Sequence, residues 1–103
     1  MRNLNVRNQS FDAATIEAVW KKGSPIYGLN PDTDRKDTCG AHMKRSEFGD
    51  TNSKYGWEID HIRPKAQGGG DELSNLEPLK WENNRSKGDS YPAYTYNYCV
   101  IRS

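Results

Sequence analysis

The chain has 103 residues, 33% of them apolar, with fifteen Lys and Arg against fourteen Asp and Glu for a formal charge of +1. That length holds one hydrophobic core and leaves no surplus for a second, and the balanced charge excludes a global field that would draw the protein onto a polyanion. No stretch approaches the run of about eighteen apolar residues that spans a membrane, and MRNLNVRNQS lacks the apolar centre of a signal peptide, so a soluble, cytoplasmic protein with no membrane partner is expected.

In FDAATIEAVWKKG, Asp12 can cap a helix whose Ala13, Ile16, Val19 and Trp20 recur at helical spacing, with Gly23 to stop it. SPIYGLNPDTDRKD follows and is expected to be loop, because Pro25, Gly28 and Asn30-Pro31 break regular structure. Cys39 and Cys99 have no CxxC partner, which argues against a zinc ribbon. They read most simply as two reduced, packed thiols, since a bridge needs an oxidising compartment. His42 reads as a surface or packing residue, and Lys44 and Arg45 beside it are candidate nucleic-acid contacts.

In YGWEIDHI, Tyr55, Trp57 and Ile59 alternate with Gly56, Glu58 and Asp60, the period of a half-buried strand that ends by Pro64. RPKAQGGGDELS supplies three consecutive glycines for positive φ angles, so the chain can turn back. NLEPLKW offers Leu76 and Leu79 for a return strand, and WENNRSKG reads as a helix of about two turns closed by Gly88. In the tail, SYPAYTYNYCVIRS, Tyr94, Tyr96, Tyr98 and Val100 alternate as a strand would.

The chemistry gathers at the strand end. Asp60 and His61 sit where the alternation of faces is expected to lapse, so both can reach one site. A carboxylate is a hard ligand for Mg²⁺ or Mn²⁺, and an imidazole near neutrality can take a proton from water. If Trp81 packs on the hairpin, a residue three further on lies within about sixty degrees of the same helix face and one two further on points away. That places the carboxamide of Asn84 at the site and Asn83 in solvent.

Taken in order, D-H-I-x-P, a glycine-rich loop, N-L-x-P-L and N-N-R-x-K-G over residues 56–89 resemble the HNH endonucleases, the ββα-metal nuclease superfamily. The resemblance implies an α+β fold: a small ββα-metal finger with an N-terminal helix and loop-rich surroundings. It divides a single domain, 1–103, into an N-terminal extension (1–38), a ββα-metal core (39–89) and a C-terminal tail (90–103). By the same resemblance Asp60 is a metal ligand, His61 the general base and Asn75 the middle asparagine that ties the loop and keeps the His ring oriented. Asn84 is the second metal ligand. This H-N-N variant implies Mg²⁺ or Mn²⁺, with Ni²⁺ and Zn²⁺ disfavoured.

Arg63 and Lys65 on the loop and Arg85 and Lys87 on the last helix flank this constellation and are candidate phosphate contacts. The function implied is metal-dependent hydrolysis of phosphodiester bonds in DNA, read as duplex, with specificity left to a targeting protein or a homodimer. The alternative is a non-cleaving nucleic-acid-binding or assembly module on the same fold.

Overall fold

The computed structural model describes residues 3–92 and 96–103. Helix α1 (Ala13–Trp20) begins where expected: Asp12 stays extended, and its carboxylate accepts the Thr15 N–H at 2.8 Å. That bond satisfies one of the amides a helix start leaves free. Val19 and Trp20 on its inner side are fully buried.

The stretch expected to be loop is in part a sheet. β1 (Ser24–Pro25), β2 (Asp34–Lys36) and β3 (His42–Lys44) pair antiparallel in that order. Strands this short, built from Pro, Asp, Lys and His, carry no apolar alternation to read. A side-chain cluster joins β2 to β3 instead. The buried Asp34 carboxylate lies 2.6 Å from His42 Nε2 and 3.0 Å from Lys44 Nζ and accepts from the Thr33 hydroxyl. His42, edge-on to Tyr55 at 4.8 Å, is thus a packing residue.

β4 (Trp57–His61) and β5 (Leu76–Lys80) form an antiparallel hairpin in which Trp57 opposes Lys80 and His61 opposes Leu76. Helix α2 (Trp81–Lys87) follows without a linker and is closed at Gly88. All five β4 residues are buried, a correction to the half-buried strand expected. Trp57, Ile59 and Leu76 pack with Phe11, Val19, Trp20 and Met43 on the α1 side. Glu58 and Asp60 face α2, where they meet Asn84 and Lys87.

The tail corrects two expectations. Cys39 and Cys99 form a disulfide, with Cα atoms 5.5 Å apart, in a small buried cluster with Leu79 and Tyr98. No strand occurs among the described residues of the tail, where Tyr96 takes a positive φ of 54°, and Tyr94 lies outside the described residues. Among the described residues no helix is long and apolar enough to cross a membrane.

Candidate active site

The loop between β4 and β5 is held by one side chain. Asn75 Oδ1 accepts the Arg63 N–H at 2.8 Å, while its Nδ2 donates to the carbonyls of Arg63 and Gly70 at 3.2 and 2.9 Å. Asn75 therefore ties both limbs of the loop, as its place in the motif implied. Of the three glycines only Gly68 has a positive φ, 88°. Gly69 is required for a different reason, since a Cβ there would stand 1.7 Å from the Arg63 carbonyl oxygen.

Alternation along β4 does not lapse at its end. Asp60 turns toward α2, and the His61 ring lies on the α1 side with its centroid 5.9 Å from that of Phe11. What unites them is the edge of β4 turned away from β5, where Asn3 Oδ1 accepts the Ile59 N–H. There a cleft of about 70 Å³ is lined by Asp60, His61 and Asn84 together with Asn3, Pro64 and Lys65. His61 is 7% exposed, and its Nε2 lies 2.8 Å from Asp71 Oδ1.

Lys87, expected to contact phosphate, is buried at 2% exposure and belongs to the interior of the site. Its ammonium donates to Asp60 Oδ1 and to the carbonyls of His61 and Ile62. Nζ stands 3.2 Å from Asp60 Oδ2 as well, and that oxygen is buried. Across the hairpin, Glu77 opposes Asp60. Burial, reinforced by the Asp60 carboxylate, pushes the Glu77 carboxyl up to about 9. Burial also raises Asp60, against the opposing pull of Glu77, Lys87 and His61.

Asn84 enters the cleft as expected. Its Nδ2 donates to Glu58 Oε1 at 3.0 Å, which fixes the carboxamide, and its Oδ1 makes no hydrogen bond among the described residues. Asn83, expected in solvent, is fully buried. Its Oδ1 accepts the N–H groups of Val100 and Ile101, and its Nδ2 donates to Asp37 Oδ2 and the Ile101 carbonyl. It anchors the tail, a role that partners so distant in sequence conceal from helix phase.

A carboxylate and a carboxamide lining one cleft are the chemistry that suits a hard divalent cation that keeps most of its water. No group of three or more His, Cys, Asp or Glu side chains able to hold a metal occurs among the described residues. Asp60 and Asn84 bring a carboxylate and a carboxamide to this cleft.

The remaining cations divide by their partners. Arg63 and Arg85 are exposed; Arg85 stacks on Trp81 at 5.0 Å and Arg63 Nε donates to the Gln67 carbonyl. Lys65 is held by the N-terminal segment through the carbonyls of Leu4 and Asn5 and Asn8 Oδ1. Lys44 pairs with Asp34, and Arg45 with Glu17. Sequence reasoning missed Asp71, Glu58 and Asn3. The first follows the glycine loop directly, a position that returns it beneath the end of β4.

A hairpin running straight into a helix, with Asp-His on its first strand, an asparagine tying its loop and a carboxamide on the helix, is a ββα-metal finger. The model of the HNH endonuclease family matches residues 37–90, a little over half of the chain. The chain belongs to the HNH endonuclease family, a family of nucleases. No curated protein and no solved structure matches.

Proposed function

We propose that this protein is a metal-dependent endonuclease that hydrolyses phosphodiester bonds in DNA, with duplex as the expected form. The observation that carries the reading is the cleft that Asp60, His61 and Asn84 line together. Asp60 and Asn84 would hold Mg²⁺ or Mn²⁺, which supplies Lewis acidity to the phosphate oxygens and charge neutralisation to the departing 3′-oxygen. Asn84 is oriented for this by Glu58, and Lys87 keeps Asp60 in place from behind.

His61 accepts the proton of the attacking water, and its ring is held by Phe11 and Asp71 against rotation. Arg63 and Arg85, exposed on either side, bind neighbouring phosphates. Lys65 joins them when the N-terminal segment yields its ammonium. Two exposed arginines give a small footprint, so selectivity in the cell falls to a targeting protein or a second copy of the chain.

The non-cleaving alternative gains no support from the site, since Asp60 and His61 are both present and line one cleft. Incubation with supercoiled plasmid separates the two. Nicked or linear DNA with Mg²⁺ or Mn²⁺, and intact plasmid with EDTA, is the result expected. Plasmid left intact under Mg²⁺, Mn²⁺, Ni²⁺ and Zn²⁺, yet retarded on a gel by the protein, would support the binding module instead.

A further inference from the structure

The imidazole of His61 has one nitrogen engaged and one free. Nε2 lies 2.8 Å from Asp71 Oδ1, while Nδ1 makes no hydrogen bond among the described residues. Asp71 is itself fixed from two sides. Its two carboxylate oxygens accept the Val6 N–H at 3.2 and 3.1 Å, and its backbone follows Gly70, whose carbonyl is bound by Asn75 Nδ2. A carboxylate accepts and cannot donate, so the nitrogen facing it carries the proton in the neutral ring.

We infer that Asp71 is a positioning residue for His61: it holds the neutral ring in the Nε2–H tautomer and leaves Nδ1 as the nitrogen that receives the proton from water. The inference rests on the proposed nuclease reading for its catalytic consequence, but the tautomer itself is a property of the resting protein. Asn75 acts on the His ring, which it does not touch, through the same carboxylate. The path runs from Asn75 to the Gly70 carbonyl, through the next residue's carboxylate, to Nε2. The N-terminal segment takes part through Val6, which makes residues outside the ββα finger a support of its base.

The experiment is ¹⁵N NMR of the histidine ring in metal-free, DNA-free protein at about pH 8, where a free imidazole is neutral. Wild type, Asp71→Ala and Asp71→Asn are compared, and His42 serves as the internal control. The expected wild-type spectrum shows His61 with a pyrrole-like Nε2 and a pyridine-like Nδ1. Asp71→Ala should convert it to a tautomer mixture, and Asp71→Asn should shift it toward Nδ1–H, with His42 unmoved in both. In plasmid cleavage with Mg²⁺ each variant should lose about 10- to 100-fold in kcat, the range for a group that orients a reacting side chain, with KM changed by under about threefold.

A wild-type ring in the Nδ1–H form, or a ring unchanged by both substitutions, overturns the assignment of Asp71. The wild-type spectrum decides this even where a variant does not fold. Absence of cleavage by wild type would count against the nuclease reading, while the tautomer measured in the same protein still decides whether Asp71 sets the ring.

Discussion

The ammonium of Lys87 lies 3.2 Å from each carboxylate oxygen of Asp60, with both side chains almost wholly out of water. A buried pair of this kind is costly to assemble and more costly to break, because removing one partner strands the other's charge in a poor solvent. Lys87→Met should therefore destabilise the metal-free protein by about 3 kcal/mol, read from the urea midpoint. If Asp60 holds a metal, saturating Mg²⁺ should recover part of that loss. A variant as stable as wild type would mean that the pair is dispensable.

Asn83 and Asn84 are neighbours with separate duties. Asn83→Ala strips partners from Asp37, Val100 and Ile101 and should cost about 2 to 3 kcal/mol, while the metal affinity of the protein that remains folded is unchanged. Asn84→Ala should cost about 1 kcal/mol in stability and weaken Mg²⁺ binding and cleavage together. Calorimetric titration with Mg²⁺ beside urea denaturation distinguishes them; equal metal loss in both variants would contradict the division.

Much of this arrangement was legible in the residues, for identifiable reasons. Apolar periodicity marked α1 and β4, a capping aspartate marked the start of α1, and closely spaced Leu76 and Leu79 marked β5 ahead of a helix stopped by glycine. The phase that turned Asn84 inward also carries Lys87, three residues on, to within about sixty degrees of it, so the burial of Lys87 was available to the same argument. The polar inner face of β4 misled, because Glu58 and Asp60 alternate with apolar residues as on a half-buried strand, whereas α2 covers them. Asn83 and Cys99 were opaque for another reason: their partners are set by the path of the tail, which local pattern does not encode.

The Cys39–Cys99 bridge closes a loop of sixty residues around the whole ββα finger. Constraint of the unfolded chain over that length corresponds to about 4 kcal/mol. Reduction, or Cys99→Ser, should lower the urea midpoint accordingly and free the tail from Asn83, which limited proteolysis near Tyr96 would report. An unchanged midpoint after verified reduction would show that the bridge adds nothing to packing around Leu79.

Acid sensitivity should centre on Asp34. The bond from His42, helped by Thr33 and Lys44, holds its carboxyl down to about 2 from an ordinary 3.8. The folded-state value is the lower one, so the stabilisation is fully present above about 3.8 and is lost as pH falls toward 2. Asp34→Asn should flatten that part of the stability profile, measured by urea midpoints from about pH 5 to 2.5. A profile with the same slope in the variant would assign the acid limb to other carboxylates.

The central claim is that His61 takes the proton of water while Asp60 and Asn84 hold the metal, and His61→Ala tests it most directly. Cleavage of supercoiled plasmid in Mg²⁺ should fall by about a hundredfold or more, the contribution of a positioned general base, while Mg²⁺ affinity measured by calorimetry stays within about threefold of wild type. Retention of wild-type cleavage by His61→Ala, or loss of Mg²⁺ binding along with activity, would contradict the account.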